Sequence, residues 1–436
     1  MNVSPVLALA GLAAIGLLVT RLPPVPWRHV TSLDLVFAAG GPLVLLGLVL
    51  GPGIDLINRS VLGALAPVAA LAIGWIGAAF GARFQWRYVR RIGRVTWLLA
   101  GLSVVTTFVV VTLGAWLLGR VVPALASAWT PRLPALLTLG AVAAASGPEA
   151  VALVARAVGI RNSVARAFSL AAALETACGA LVYTLPLALH RAHPLGGHAA
   201  LGWLGWLVLA VGSGGLVATV FLGLTRQPAD RGNVGFVLLA TLLFGVGLGY
   251  AAELSPFLVC AFAVALIVNA SPRRHAVRRV LAEWEPLIYA IFLVIVGTLL
   301  TLPTVWILVA VPLLAAVRAA AKWAASRYGS LALRLGEPAP NVGLGTVAQG
   351  GVALAMGLNF VIVYGDGGTS SAGALLTTVV LVVAAAQLAA APLMTLALRT
   401  AAASRAAPAA AAAAAPLTPP AARAELSANA PADWPR

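Results

Sequence analysis

Apolar residues fall along the chain in long runs that are separated by short polar connections, and the pattern recurs as far as residue 398. Each run has roughly 20 residues, which as a helix spans the hydrocarbon core of a bilayer, about 30 Å. The pattern therefore predicts an all-α polytopic membrane protein. It predicts thirteen membrane-spanning helices, at residues 2–20, 32–51, 61–81, 95–119, 133–157, 165–190, 199–224, 233–251, 254–270, 284–301, 303–326, 341–365 and 371–398.

The distribution of basic residues supports this count. The connections after the odd-numbered runs, together with the C-terminal segment, hold 22 of the 28 Lys and Arg residues. The connections after the even-numbered runs hold four, namely Arg59, Arg120, Arg132 and Arg191. Cytoplasmic connections are rich in Lys and Arg. We therefore expect a multi-pass protein of the cell inner (plasma) membrane, with its N-terminus outside and its C-terminus in the cytoplasm.

Composition excludes a soluble domain, because 61% of the residues are hydrophobic and the mean hydropathy is +1.00. The net charge of +16 does not indicate a nucleic-acid partner, since the arginines are spread over the connections. We find no Ser-His-Asp, metal-ligand or phosphate-loop pattern, so we expect neither an enzyme nor a cofactor. Residues 399–436 are rich in Ala and Pro, and we predict a disordered cytoplasmic tail there.

Two of the predicted spans are interrupted. The fifth contains Ser146-Gly147-Pro148-Glu149, and proline breaks or kinks a helix. The twelfth contains Gln349-Gly350-Gly351 in a glycine-rich stretch. Thirteen spans divide into six, one linker and six, and the second six would insert in the opposite orientation, as an inverted repeat. The interruptions then stand in equivalent spans, which predicts a binding site between two crossing broken helices. The competing interpretation of the glycines is close helix packing.

Two glutamates, Glu149 and Glu175, lie in these apolar runs. An ionisable group in a span costs about 2.5–3.5 kcal/mol on insertion scales, so it is a functional hypothesis by default. We expect Glu175 to face a water-filled pocket beside the two breaks and to bind a proton and a cation in turn. The alternative is a permanently protonated side chain bonded to a neighbouring helix. Glu149 either shares the pocket or caps the half-helix that begins at Pro148.

Neutral oxygens and two basic residues complete the candidates. Ser146, Thr176 and the carbonyls freed near Ala144 suit a hard monovalent cation, although back-bonding within the helix competes with that role. Arg318 and Lys322 are four residues apart and share a helix face. They would pair with a glutamate until an ion displaces them, or extend to the cytoplasmic interface. We expect the interface for Lys322 and a buried partner for Arg318.

Five motifs, in this order along the chain, resemble those of the cation:proton antiporter superfamily, the sodium/proton exchanger-like and Kef-like carriers. They are Leu50-Gly51-Pro52-Gly53, Ala145-Ser146-Gly147-Pro148-Glu149, Glu253-Leu254-Ser255-Pro256, Glu285-Pro286 with Phe292 to Gly297, and Gln349-Gly350-Gly351. The resemblance covers roughly residues 5–398. It implies the sodium/proton antiporter-like fold, in which a core of spans 4–6 and 11–13 moves against a scaffold of spans 1–3 and 8–10 joined through span 7. It also implies a homodimer.

The chain departs from the family at the residues that carry the chemistry. Gly147 and Thr176 stand where the family has aspartates, and Gly351-Val352 replaces the acid of the Kef-like segment. Two functions follow. The first is a secondary active transporter that exchanges a monovalent cation (Na⁺ or K⁺) for protons by alternating access. The second is a non-exchanging relative with a regulatory or assembly role, or with a different solute.

Overall fold

The structure, a computed structural model, describes residues 4–21, 31–54, 56–57, 59–160, 163–190, 202–226, 231–252, 254–333, 342–365 and 370–414. Glu253 and the end of the predicted tail, residues 415–436, lie outside them. Within these ranges the chain is helical and contains no β-strand. The α-helices are α1 Pro5–Arg21, α2 Ser32–Ala38, α3 Gly41–Leu48, α4 Arg59–Gly81, α5 Trp86–Val89, α6 Arg94–Val121, α7 Pro123–Ala128, α8 Arg132–Ala144, α9 Pro148–Ala157, α10 Ser163–Val182, α11 Thr184–His190, α12 Trp203–Leu224, α13 Arg231–Ala251, α14 Pro256–Ala270, α15 Arg274–Thr298, α16 Trp306–Ala332, α17 Val342–Gly345, α18 Gly351–Tyr364 and α19 Ser370–Ala414.

Each of the thirteen predicted spans corresponds to a helix or to a pair of helices. Among the described residues, nine helical stretches are long and apolar enough to cross a membrane, and two of them, Arg132–Ala157 and Val164–Leu189, each join two of these helices. The pair α2 and α3, bent by 65°, makes a tenth. The other three spans are shorter apolar helices, at Pro5–Val19, Pro256–Ala270 and Gly351–Tyr364. The chain is therefore a multi-pass membrane protein, and several of its spans, including the broken fifth and twelfth, contain less than a full crossing of uninterrupted helix.

Two predicted boundaries were wrong by ten residues or more. The last helix was expected to end at residue 398 and to be followed by a disordered tail, but α19 continues to Ala414. This extension is rich in alanine, the residue with the highest intrinsic helix propensity. The tenth span was expected to begin at residue 284, but α15 already begins at Arg274. Arginine is itself a good helix former, so the basic stretch before the apolar run joins the helix.

Local sequence signals explain several helix ends. Thr31 and Asp34 form a capping box at the start of α2, in which each side chain accepts a hydrogen bond from the other's backbone N–H. Pro148 and Pro256 are the first residues of α9 and α14, a position where the missing N–H is harmless. Gly40 separates α2 from α3 in a left-handed conformation, with φ of 86°, and there the chain bends.

The helices pack in two groups. In one, α4 contacts α1, α14 and α15, while α14 also contacts α12 and α13. In the other, α6 contacts α8, α10 and α16, and α19 contacts α16, α17 and α18. The groups meet where α4 lies against α18 and where α2 lies against α19. The assignment of these groups to a scaffold and a moving core stays a prediction.

Helices α3 and α15 cross at a pair of glycines, Gly47 and Gly297. A Cβ on Gly297 would lie 2.8 Å from the Cα of Gly47 and closer still to the carbonyl oxygen of Val44. Both are backbone atoms, which cannot move aside as a flexible side chain can. We therefore expect Gly297→Leu to separate the two helices and to abolish a monodisperse, folded protein in detergent, as measured by size-exclusion chromatography.

The matched control for that substitution is Gly247→Leu in α13, because a Cβ on Gly247 meets nothing within 4 Å. This variant should elute as the wild type does. If Gly297→Leu also elutes as the wild type does, the contact between α3 and α15 does not depend on glycine.

Candidate functional site

The two interrupted spans cross at their breaks. Regular helix stops between Ala144 and Pro148 in the fifth span and between Gly345 and Gly351 in the twelfth. The Gly147 N–H donates a hydrogen bond to the carbonyl oxygen of Ala348 at 2.8 Å. A Cβ on Gly147 would lie 2.9 Å from the carbonyl carbon of Gln349. The position where the resemblance implies an aspartate therefore has no room for a side chain.

Helix α8 ends inside the protein, so its last carbonyl groups lack helical partners. Buried side chains from the twelfth and eleventh spans supply these partners. The bonds are Gln349 Nε2 to Val142 (2.8 Å), Arg318 Nε to Ala143 (2.7 Å), Lys322 Nζ to Ala144 (3.3 Å) and Arg318 Nη2 to Ala145 (2.9 Å). Four successive carbonyls are thus satisfied by three side chains, two of them cationic.

Arg318 and Lys322 are both fully buried, with no solvent-exposed area. Arg318 also donates to the carbonyl of Val347, so it bridges the two breaks. Arg318 is buried as expected, but its hydrogen-bond partners among the described residues are carbonyls and not a glutamate. The expectation that Lys322 extends to the interface is wrong. Helix C-termini carry partial negative charge, and the ends of α8 and α17 both lie at this point and favour the two cations.

Glu175 is the carboxylate partner of Lys322. Its Oε2 lies 2.8 Å from Lys322 Nζ, and its side chain is 4% exposed. The carboxylate also accepts from Ser103 Oγ (2.5 Å) and Ser146 Oγ (2.6 Å), while Lys322 donates to Ser146 Oγ at 2.9 Å. The ion pair and its two serines form a closed network between α6, α10, α16 and the break before α9. Because every polar atom of the pair has a partner, burial of both charges is tolerated.

Thr176 links α10 to the same break. Its Oγ1 lies 2.5 Å from the Ser146 carbonyl oxygen and accepts from the Ser146 N–H at 3.2 Å. It also lies 2.8 Å from the carbonyl of Ala172, one turn back, which is the back-bonding weighed from the sequence. Ser146 Oγ reaches the carbonyl of Thr346 as well, at 2.9 Å. These two neutral side chains hold the broken segments in contact.

A cavity of about 260 Å³ lies between the two groups of helices. Its inner end is formed at the crossing, and its outer end lies at the arginine-rich connection after α4. The lining includes Ser146, Thr176, Gln349, Gly350 and Gln387 at the crossing, Trp75, Ile76 and Phe80 from α4, and Arg83, Val89 and Ile92 from that connection. Glu175 itself does not line the cavity. It lies behind Ser146 and Thr176, so it is beside the breaks but not in the pocket where we expected it.

Glu149 does line the cavity, in the first turn of α9. Its carboxylate forms an ion pair with Arg83, and its side chain is 57% exposed. It makes no capping hydrogen bond to the start of α9, although its negative charge near a helix N-terminus is favourable. Glu285, from the motif that contains Pro286, is the other carboxylate among the described residues of the lining.

Gly351 stands where the Kef-like pattern has an acid nearby, and the structure gives a steric reason for glycine. A Cβ on Gly351 would lie 2.6 Å from Cε2 of Tyr289 and 3.1 Å from its Cζ. The Tyr289 ring therefore occupies the volume into which a side chain at position 351 would extend. Gly343 and Gly345, by contrast, serve close packing, against the backbone of Lys322 and the ring of Phe168.

The sequence reasoning missed Ser103, Arg83 and Gln387, and it misjudged Lys322. Ser103 and Gln387 are buried polar residues in otherwise apolar helices. This is the same signal that identified Glu175, and it could have been applied to Gln387 in the thirteenth span. Serine is common in membrane helices, so Ser103 carries a weaker signal.

No protein-family model matches the sequence. No curated protein matches it either. Solved structures do match. A structure of the sodium proton antiporter MjNhaP1 from Methanocaldococcus jannaschii at pH 8 aligns with a TM-score of 0.66 and 14% identity, over 91% of this chain and 98% of that one. An electron-microscopy structure of the same antiporter aligns with a TM-score of 0.60 and 17% identity, over the same shares. At these identities the likeness establishes the fold, and the chain has a cation:proton antiporter-like fold.

Proposed function

We propose that the protein is a secondary active transporter that exchanges a monovalent cation for protons by alternating access. The observation that carries the proposal is the buried ion pair of Glu175 and Lys322, which Ser146 connects to the crossing of two broken helices at the inner end of a cavity. The fold shared with MjNhaP1, described as a sodium proton antiporter, supports it. Na⁺ and K⁺ both remain candidate ions.

Lys322 is the group that we propose exchanges the proton. It is the only lysine in the sequence, and the other 27 basic residues are arginines. Arginine keeps its proton in proteins, whereas a buried lysine can lose its own. A lysine at this position therefore provides a group that can be charged or neutral, beside an arginine, Arg318, that stays charged.

Coupling follows from repulsion between like charges. A cation at the inner end of the cavity and the ammonium of Lys322 are separated by little more than Ser146, in a region of low dielectric. Binding of the cation therefore favours loss of the Lys322 proton, and protonation of Lys322 favours release of the cation. One positive charge at the crossing replaces another, which is the requirement for exchange.

Alternating access requires the two groups of helices to separate on the side away from the cavity. That side is closed by a buried contact in which Ser255 of the α14 N-terminus donates to Asn359 of α18 at 3.0 Å. Asn359 in turn donates to Tyr183 at 3.1 Å. We propose that this contact opens when the cavity closes. The distribution of arginines supports a cytoplasmic position for the open end of the cavity and for the C-terminus. We propose the inner membrane as the location. The homodimer stays an expectation from the resemblance.

One observation favours the second candidate, a membrane protein that does not exchange cations. Thr176 takes the place of the family's ion-binding aspartate, and the Glu175 charge is already satisfied by Lys322, Ser103 and Ser146. Such a network is also what a purely structural role would require. A transport assay separates the two candidates.

The assay uses proteoliposomes that carry a pH gradient and an internal pH-sensitive dye. Addition of Na⁺ or K⁺ is expected to collapse the gradient with the wild type and to leave it intact with Glu175→Gln, which removes the charge that holds Lys322. Glu283→Gln is the matched control, because Glu283 is an exposed carboxylate of α15 outside the cavity lining. A wild type that leaves the gradient unchanged with every alkali cation would exclude the exchanger.

A further inference from the structure

Two buried amide oxygens at the cavity have no hydrogen-bond partner among the residues that the structure describes. They are Oε1 of Gln349 and Oε1 of Gln387, whose side chains are 0% and 3% exposed. Both residues line the cavity at the crossing of the broken helices. A buried acceptor without a partner is unfavourable, so each of these two oxygens calls for a ligand.

The orientation of both amides is set by their donors. The Gln349 amide donates from Nε2 to the Val142 carbonyl at 2.8 Å, and the Gln387 amide donates from Nε2 to the backbone carbonyl of Gln349. Rotating either amide by 180° would place its oxygen against a carbonyl oxygen. The two Oε1 atoms are therefore held as acceptors, and the ligand that completes them supplies positive charge or hydrogen-bond donors.

Charge around these oxygens selects among such ligands. Glu149 lines the cavity beside the crossing, and its Oε2 lies 3.4 Å from where a Cβ of Gly350 would lie. Arg83 pairs with that acid from one side, and Lys322 and Arg318 lie behind the crossing. Glu285 also lines the cavity, and Glu175 pairs with Lys322, so three carboxylates balance these three cations and leave no excess negative charge for a divalent ion. A monovalent cation needs less compensation, and amide oxygens are ligands of the hard type that alkali cations accept.

We propose that Gln349 and Gln387 form the cation-binding site of the cavity, in which two neutral amide oxygens bind a monovalent alkali cation with Glu149 as the nearby negative charge. The two amide oxygens would take the place of the aspartate carboxylate that the family has at the position of Thr176. The inference rests on the proposed function for the class of ligand. It assigns Gln387, which no motif identifies, a direct contact with the transported ion.

The test measures binding and not transport. Purified full-length protein in detergent is titrated with ⁸⁶Rb⁺ (as a K⁺ analogue) and with ²²Na⁺ in a scintillation proximity assay. Gln349→Leu and Gln387→Leu are each expected to raise the Kd at least tenfold for the ion that the wild type binds. Thr138→Val is the matched control, because the Thr138 hydroxyl is also buried and unpaired but does not line the cavity. It should leave the Kd unchanged.

Glutamine-to-leucine variants that fold and keep the wild-type Kd would overturn the site, as would a wild type that binds neither ion.

If a variant does not fold, wild-type protein labelled with ¹³C at the glutamine side-chain carbonyl provides a second test. The cation is then expected to shift the amide carbonyl band in an infrared difference spectrum, and an unshifted band overturns the site. Binding through Gln387 without proton exchange would refute the proposed function but not this site. If the wild type exchanges the cation for protons and Gln387→Leu binds the cation normally, the site is refuted but the proposed function is not.

Discussion

Replacement of Lys322 by methionine is expected to destabilise the protein by about 3–5 kcal/mol, the usual effect of breaking a buried ion pair by removing one partner. Methionine fills a similar volume, so the loss is electrostatic rather than steric. Glu175 would keep its two serine donors but would lose Lys322, the only cation among the described residues that hydrogen-bonds it. The Ala144 carbonyl would lose its donor as well. The measurement is the thermal unfolding of the purified protein in detergent, compared with the wild type at one pH.

The double variant Glu175→Gln/Lys322→Met is the control for this effect. It removes both charges together, so it should recover most of the stability that Lys322→Met loses, while cation-driven proton exchange stays abolished. Additive effects of the two single substitutions would contradict the pairing of Glu175 with Lys322, because residues in one network are expected to couple.

Replacement of Arg318 by methionine is expected to lower stability by about 3 kcal/mol or more. Three carbonyls, those of Ala143, Ala145 and Val347, would each lose a donor in a buried region. An unpaired buried acceptor is unfavourable by roughly 1–3 kcal/mol, and here the three acceptors belong to both breaks. The crossing of the two spans should therefore loosen, which is measured as a lower unfolding temperature in detergent.

Arg318→Lys should restore little of that stability, since an ammonium cannot present the fork of donors that reaches both broken spans. Arg327→Met serves as the matched control, because Arg327 lies on the same helix but is exposed. If Arg318→Met unfolds at the temperature of Arg327→Met, the guanidinium does not hold the breaks together.

Much of the fold could be predicted from the sequence because the signals are local. Apolar runs of bilayer length set the spans, and Gly147-Pro148 set the first break, since proline ends a helix whatever surrounds it. The second break could be predicted only because its span is equivalent to the fifth span in the inverted repeat. Its glycines alone do not indicate a break, since the neighbouring Gly343 and Gly345 serve close packing. The isolated Glu175 identified the centre of the candidate site for a similar reason, as a charge in an apolar run.

The partners at the site could not be predicted, because they depend on depth and on distant spans. Lys322 was expected at the interface since its span was predicted to end at residue 326, whereas α16 continues to Ala332. Ten residues of helix, about 15 Å, separate Lys322 from that end. Helical periodicity indicates which residues share a face, but it does not give the depth of that face in the membrane. Nor does it indicate that Ser103, in another span, lies against Glu175.

The coupling between cation binding and the charge of Lys322 can be measured directly, because this is the only lysine in the chain. Protein labelled with ¹³C at the lysine ε-carbon should give one lysine NMR signal, whose chemical shift reports whether the amine is charged. At a fixed pH at which the cation-free protein shows the charged form, saturating Na⁺ or K⁺ is expected to move the signal toward the neutral form. A signal that stays at the charged position, under conditions in which the same sample binds the cation, would contradict exchange of a cation for a proton at Glu175 and Lys322.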